Sequence, residues 1–469
     1  MQIEKIKHIH FVGIKGVGMT SLALCAQDLG IKVTGSDVEE IFVTDSVLKK
    51  RKIEWKLGFK KENLKTLPDL VITTGAHGGL KNPEVLFAKK NKVPVMTHAQ
   101  ALSFFSRDKK LISVCGVGGK TTTASMVATI FEIAGRNPSF AIGVGEIFPI
   151  GYPGKYSRDS QYFICEADEF AISPGVDNRP RFAFLDPNVI VVTNIEHDHP
   201  DIYPSLKQTK KTFGEFFEKV PENGLLVADF DNQNTREVIK KVDVPIQTFG
   251  FSQGADWQIK GAKAKNRKNS FTLIDKNGKR VVLALQVPGD YNLKNAVAAY
   301  LVSKFLGLED EQIRKGLNSF AGVERRFEKI GESKSKVLIY DDYAHHPEEI
   351  KAVLKAARDW FPGKRLVAIF QPHTYTRTKA LFSEFTKAFK EADVVSFMDI
   401  YASAREKKDK SVSSKLLAQE TKKQGKDAYY SGNHKQTIEW FKKHVKNGDV
   451  VFTLGAGDIF YLHKDLLKG

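Results

Sequence analysis

The sequence predicts an α/β protein built as three domains. Short apolar runs end in glycine or polar loops and alternate with helical patterns, the mark of parallel βα units. A glycine loop at 116–119 lies between one such run and a helix. The 469 residues allow two to four domains at roughly 100–200 residues each. The borders are expected near 108 and 322: a Rossmann-like first domain over 1–107, a central P-loop domain over 108–321 and a Rossmann-like last domain over 322–469.

In the first domain, His8 to Val12 is a strand that stops at Gly13. A helix follows from Met19 to Leu29, with Gly30 suited to its C-cap. Ile31 to Gly35 and Leu70 to Thr74 are further strands, the first running into Ser36-Asp37. The second domain opens with the strand Leu111 to Cys115, the glycine loop, and a helix from Thr121 to Ala134 ended by Gly135. Tyr162 to Cys165 and Val189 to Thr193 are strands. FTLI and VVLALQV flank Lys276-Asn277-Gly278, so a hairpin is expected there. The third domain alternates the strands Val337 to Tyr340, Leu366 to Phe370, Val394 to Met398 and Val450 to Leu454 with helices such as Glu348 to Phe361.

Composition narrows the function. Hydrophobic residues make up 42% and charged residues 27%, ordinary for a soluble globular chain and too apolar for disorder. No run approaches the ~18 apolar residues of a membrane span, and the N-terminus lacks the pattern of a signal peptide. Cys25, Cys115 and Cys165 form no CxxC, which disfavours a zinc ribbon or disulfide scaffold and points to a reducing cytoplasm. The formal net charge of +17 is spread over lysine pairs along the whole chain. It reads as a solvated basic surface, part of which suits small polyanionic substrates, rather than a nucleic-acid-binding arm.

The strongest motif is Gly116-Val117-Gly118-Gly119-Lys120-Thr121-Thr122-Thr123. In a strand–loop–helix context its backbone N–H groups and the helix N-terminus can hold phosphate. Lys120 would neutralise β/γ-phosphate charge and Thr121 would offer a hydroxyl to Mg²⁺. Val114 stands where the full motif has its first glycine, so the loop is a shortened variant. A metal carboxylate is needed at a neighbouring strand end. Glu166 in FICEADEF is the first candidate, with Asp168 and Glu169 next, and His199 in TNIEHDHPD is the candidate second ligand. The first loop, Gly13-Ile14-Lys15-Gly16-Val17-Gly18, resembles a dinucleotide fingerprint but places Lys15 at the middle glycine, compatible with a diphosphate ligand other than NAD. Three further polar clusters follow strands or open helices: GDYNLKNA, with Asn292 and Asn295 one helical turn apart; DDYAHHP, with His345 and His346; and FQPHTYTRT, with His373 and Arg377. Arg325-Arg326-Phe327-Glu328 follows the second border.

Taken in order over nearly the whole chain, these segments resemble the Mur ligase family of ATP-dependent amide ligases in peptidoglycan synthesis. HFVGIKGVGM and GSD resemble its UDP-binding first domain, GVGGKTTT its GTHGKTTT loop, EADEF and TNIEHDHPDIY its metal segments, and GDYNLKNA its adenine-contacting GxHNxxNA. GVERRFE, YDDYAHHPEE, FQPHTYTRT and LGAGDI resemble the third domain of the member that adds L-alanine. Lys15, Val117-Gly118 and Tyr291 depart from the family pattern.

The resemblance implies that the lactyl carboxylate of UDP-N-acetylmuramate attacks ATP to give an acyl phosphate, which L-alanine then displaces. It implies catalytic roles for Lys120, Glu166, His199, Arg326 and His345. ATP would lie on Gly116 to Thr122, Asn292, Asn295 and Arg326, with Mg²⁺ on Thr121, Glu166 and His199. Gly16, Gly18, Ser36, Asp37 and Thr74 would hold the UDP-sugar, and His346, His373 and Arg377 the amino acid. Expected partners are these substrates alone, without nucleic acid or membrane, in a cytoplasmic monomer or weak homodimer. The alternative within the family is the ligase that recycles the tripeptide. Outside it stand a nucleic-acid-directed P-loop ATPase, a dehydrogenase and a non-catalytic binding protein.

Overall fold

The computed structural model describes residues 2–173, 176–197, 202–265, 267–402 and 409–469. The chain divides into two compact units. The first comprises Met1–Ala262, Ser270–Gln286 and Tyr291–Ala321, and the second Lys263–Asn269, Val287–Asp290 and Gly322–Gly469.

The first unit carries two main sheets. One has five parallel strands in the order Trp55–Leu57, Lys32–Asp37, His8–Val12, Leu70–Thr73, Val95–Thr97. The order reverses beside the central strand His8–Val12, so the glycine loop that follows this strand lies at a switch point, where α/β sheets bind ligands. Lys32–Asp37 runs two residues beyond the expected end, because Ser36 and Asp37 continue the ladder to Lys56 and Leu57. Gly13 is forced by geometry: φ is +80°, and a Cβ there would lie 2.5 Å from Thr74 Cγ2.

The second sheet has ten strands. At its centre the P-loop strand Lys110–Cys115 lies between Tyr162–Glu166 and Val189–Val192, all three parallel. Leu225–Asp229 and Ile246–Gly250 extend it on the Val189–Val192 side. The expected hairpin is formed by Lys268–Asp275 and Arg280–Leu285, with Gly278 at φ +82° in the turn. Ile112, Val114, Ile164, Val191 and Val227 are fully buried, which explains why these strands read as mostly apolar runs rather than as an apolar–polar alternation.

The second unit is a six-stranded sheet in the order Glu328–Glu332, Leu338–Asp342, Val450–Leu454, Leu366–Phe370, Val394–Met398, Asp427–Gly432. Its first pair is antiparallel and the others are parallel. Val337, Ile339, Val367, Ile369, Val451, Trp440 and Phe441 share one core cluster. Among the described residues no helix is long and apolar enough to cross a membrane.

Candidate active site

Three adjacent parallel strands bring three of the sequence motifs to one sheet edge: GVGGKTTT after Lys110–Cys115, EADEF at the end of Tyr162–Glu166, and TNIEH after Val189–Val192. Gly116 (φ +121°) and Gly119 (φ +89°) shape the loop. A Cβ on Gly116 would fall 2.3 Å from Thr193 Oγ1, and one on Gly119 would fall 2.7 Å from Asn295 Oδ1. Asn295 is itself fixed, donating through Nδ2 to Asn292 Oδ1 at 3.1 Å, so the start of the helix Asp290–Phe305 abuts the phosphate-type loop.

Thr193 and Asn194 are loop-shaping residues that sequence reasoning missed. The Val117 and Gly118 N–H groups donate to Asn194 Oδ1 at 2.9 and 3.0 Å. Thr193 Oγ1 and Asn194 Nδ2 both donate to the Gly118 carbonyl, at 2.6 and 3.2 Å. The available signal was their position, directly after a strand next to the P-loop strand.

Lys120 starts the helix Lys120–Ile133, whose first turn also holds Thr121 and Thr122. The sequence leaves Lys120 free for phosphate. In the structure its Nζ lies 3.0 Å from Glu169 Oε2 and donates to the Gly116 carbonyl at 2.5 Å. Burial alone would lower the Lys120 pKa, but the charges of Glu169, Asp168 and Glu166 raise it above the usual lysine range. Burial pushes the Glu169 carboxyl up, with Lys120 opposing.

Glu166, the last residue of its strand, accepts the Thr121 hydroxyl at Oε2 (2.9 Å) and the Gly143 N–H at Oε1 (2.7 Å). Burial raises its pKa, and Lys120, Gly143 and Thr121 act against that. Asp168 instead pairs with Arg181 at 2.8 Å. Thr121 and Glu166 thus offer a hydroxyl and a carboxylate oxygen side by side, a donor set that fits a hard cation completed by phosphate and water. Among the described residues no group of three or more His, Cys, Asp or Glu side chains could hold a metal by itself. His199 lies outside the described residues.

At the first loop, Gly16 is the N-cap of the helix Val17–Asp28 and Gly18 lies in its first turn. Asp37 accepts the Lys15 N–H at 2.7 Å and the Val38 N–H at 2.8 Å, while burial raises its pKa. Ser36 donates to the buried Glu84. Thr74 packs against Gly13 and accepts the Ala76 N–H at 3.3 Å. Lys15 is buried and turned away from the loop face. Its Nζ donates to the Glu40 carbonyl, lies 3.7 Å from Asp45 Oδ1 and covers the Phe42 ring at 5.0 Å. Sequence reasoning also missed His98, whose Nε2 would sit 2.7 Å from a Cβ on Gly18. Burial pushes its pKa down to about 4.

The second unit gathers the remaining candidates. Arg325 (φ +61°) and Phe327 (φ +48°) hold Arg326 between two left-handed residues. Arg325 is buried, 2.8 Å from Asp341. Arg326 covers the Tyr343 ring at 5.4 Å. A row of rings follows: Tyr343 to His345 at 5.3 Å, His345 to His373 at 6.1 Å, and His373 stacked on Tyr401 at 5.7 Å. Arg377 Nη1 lies 3.3 Å from His373 Nδ1. Burial first, then Arg377 and Arg326, lower the His345 pKa against the pull of Glu349. His346, expected at the amino acid, is the N-cap of the helix Pro347–Trp360, its Nδ1 accepting the Glu348 N–H at 3.4 Å.

Comparison with known proteins bears on the whole chain. Residues 8–110 match the Mur ligase family catalytic domain, 114–303 the Mur ligase middle domain, and 325–457 the Mur ligase glutamate ligase domain. The UDP-N-acetylmuramate–L-alanine ligase of Acetivibrio thermocellus is 39% identical over 469 residues, covering 99% of this chain and 96% of the relative. That of Trichlorobacter lovleyi is 40% identical over 465 residues, covering 99% of each. The crystal structure of UDP-N-acetylmuramate-alanine ligase from Thermotoga maritima superposes with a TM-score of 0.82 at 28% identity, covering 98% of both chains. A murein peptide ligase from Psychrobacter arcticus shares the fold, with a TM-score of 0.71 at 24% identity over 98% of this chain and 99% of that one. The chain belongs to the Mur ligase family, with its three-domain α/β architecture.

Proposed function

We propose that this protein ligates L-alanine to the lactyl carboxylate of UDP-N-acetylmuramate at the expense of ATP, in the synthesis of peptidoglycan precursors. One observation carries the reading: full-length similarity to ligases named for that reaction, at an identity well above the level that supports fold alone. The geometry supports it, with a phosphate-type loop beside a hydroxyl–carboxylate pair in one unit and a guanidinium–imidazole cluster in the other.

In this reading the backbone of Gly116 to Thr122 and the side chain of Lys120 hold the ATP phosphates. Thr121 and Glu166 hold Mg²⁺, with His199 as a further ligand. Mg²⁺, when bound, neutralises phosphate charge during transfer. Asn292 and Asn295 lie toward the nucleoside. Gly16, Gly18, Ser36, Asp37 and Thr74 form the UDP-sugar site. The lactyl carboxylate oxygen forms a bond to the γ-phosphorus, ADP leaves, and the amine of L-alanine then attacks the acyl carbon and expels phosphate. Arg326 stabilises transferring charge, His345 lies at the amine, and Arg377 with His373 holds the alanine carboxylate by a planar fork. Lys15 acts as a clasp for the segment 40–45 rather than as a phosphate ligand. We place the domain borders near 108 and 322 and the protein in the cytoplasm, as a monomer or weak homodimer.

The test is phosphate release with UDP-N-acetylmuramate and ATP, scanned over L-alanine, L-serine, glycine and the tripeptide. L-Alanine is expected to give the highest kcat/KM. A clear preference for the tripeptide would assign the recycling reaction instead.

A further inference from the structure

The loop that carries His373 and Arg377 holds an unusual backbone. Thr374 has φ +66° and ψ 141°, a region open to glycine and sterically closed to most residues, above all to β-branched ones. Of the nine non-glycine residues with positive φ among the described residues, Thr374 alone is β-branched.

Its neighbours over-determine it from both sides. Upstream, the Gln371 N–H donates to the Leu454 carbonyl at 2.9 Å, and its side chain bridges Asp458 Oδ1 and the Ile459 N–H at 2.6 and 3.1 Å. Tyr401 brackets the loop, its N–H donating to the Pro372 carbonyl at 2.9 Å and its carbonyl accepting the Thr374 N–H at 2.8 Å. Downstream, the Thr374 carbonyl accepts both the N–H and the hydroxyl of Thr378, at 3.1 and 2.6 Å, which fixes the first turn of the helix Tyr375–Ala380. The φ and ψ of Thr374 therefore form the joint between two anchored pieces. One carries His373, stacked on Tyr401, and the other carries Arg377, whose Nη1 meets His373 Nδ1 at 3.3 Å.

We propose that Thr374 is a positioning residue for the amino-acid substrate: its Cβ, held in glycine's territory, stiffens the joint and fixes the Arg377 fork against His373. A glycine could adopt the same turn without strain, but it would free the joint and let the helix swing. The strain at Thr374 is thus exchanged for a rigid carboxylate anchor, as strained residues at functional sites commonly are. This inference rests on reading His373 and Arg377 as the amino-acid site.

The experiment compares the full-length wild type, Thr374→Gly and Thr374→Ala, measuring phosphate release against each substrate in turn, and melting temperature. Thr374→Gly is expected to raise KM for L-alanine about 10-fold or more, the scale of one loosened charge-assisted contact. KM for ATP and for UDP-N-acetylmuramate should stay within about two-fold. The melting temperature should hold or rise, since relieved strain offsets the added chain freedom. Thr374→Ala keeps the Cβ and should stay near wild type. An unchanged L-alanine KM in Thr374→Gly overturns the proposal. So does an alanine variant as impaired as the glycine one, which would assign the effect to the hydroxyl, or an equal rise in all three KM values with a lower melting temperature. A wild type whose phosphate release responds to no amino acid overturns the functional reading itself, and the positioning role with it.

Discussion

Replacing Lys120 with methionine should damage both folding and catalysis, and the structure shows how to separate the two. The Lys120 ammonium lies 3.0 Å from the Glu169 carboxylate, with only 16% of the lysine side chain and 3% of the glutamate side chain exposed. Removing the cation strands a buried carboxylate, a change worth about 3–5 kcal/mol when one partner of a buried pair is lost. For a domain of this size that corresponds to a drop in melting temperature of order 10 °C. The sequence alone, with Lys120 free for phosphate, leads one to expect little change. The second variant, Lys120→Met with Glu169→Gln, removes both charges and should recover most of the lost stability. Catalysis should not follow. Without a cation at the loop, turnover is expected to fall at least ~100-fold in both variants, the scale of one lost preorganised electrostatic contact. The assay is a thermal melt paired with phosphate release. Turnover that returns with stability in the double variant would show that Lys120 matters for folding alone, and an unchanged melting temperature in the single variant would refute the ion-pair argument.

Three further outcomes follow from the same geometry. Glu166→Gln keeps the shape that accepts the Thr121 hydroxyl and removes the charge, so the Mg²⁺ concentration for half-maximal activity should rise roughly 10–100-fold, and an unchanged magnesium titration would place the carboxylate elsewhere. Arg377→Lys keeps a charge but loses the planar fork, so KM for L-alanine should rise by the equivalent of about 1–3 kcal/mol with little change for ATP; a weakened ATP instead would assign the arginine to the nucleotide. Asp342 is buried, and burial pushes its carboxyl up to about 6, opposed by Arg326 and by the Phe327 and Ala344 N–H groups. The folded state then binds more protons than the unfolded one between the ordinary aspartate pKa and about 6, so this group's contribution to stability falls as pH rises through that window. Asp342→Asn should flatten the slope of stability against pH there, as read from urea melts, and an unchanged slope would count against the burial argument.

Much of the fold was legible because parallel sheets bury both faces of their strands. Leu366–Phe370 is wholly apolar, Val394–Met398 and Val450–Leu454 are interrupted only by Ser396 and Thr453, and the sequence predicts all three with the observed ends. Strands with polar or short sequences were not read. Trp55–Leu57 and Asp427–Gly432 exist through pairing with Lys32–Asp37 and Val394–Met398, each the preceding strand one crossover earlier, so the partner and not the local pattern defines them. The same limit applies to the candidate site. Thr121 and Glu166 were named from motif spacing, and the structure sets their oxygens 2.9 Å apart. The Glu169 partner of Lys120, the Thr193–Asn194 clasp on the loop and the buried Lys15 depend on side-chain directions that no local pattern carries. His346 has a local role beside the one expected of it. It stands before the proline that opens the helix Pro347–Trp360 and caps that helix, a role that the helix-start pattern itself carries.

In the proposed reaction a carboxylate is activated as an acyl phosphate and then captured by an amine. Labelling both lactyl carboxylate oxygens of UDP-N-acetylmuramate with heavy oxygen tests this most directly, with mass spectrometry of the phosphate and of the sugar nucleotide after reaction with ATP and L-alanine. Each phosphate should carry one heavy oxygen, and the sugar nucleotide should gain one alanine while keeping one heavy oxygen in the new amide. Unlabelled phosphate, with the sugar nucleotide unchanged, would mean that water rather than the carboxylate attacks ATP, and would rule out the acyl phosphate.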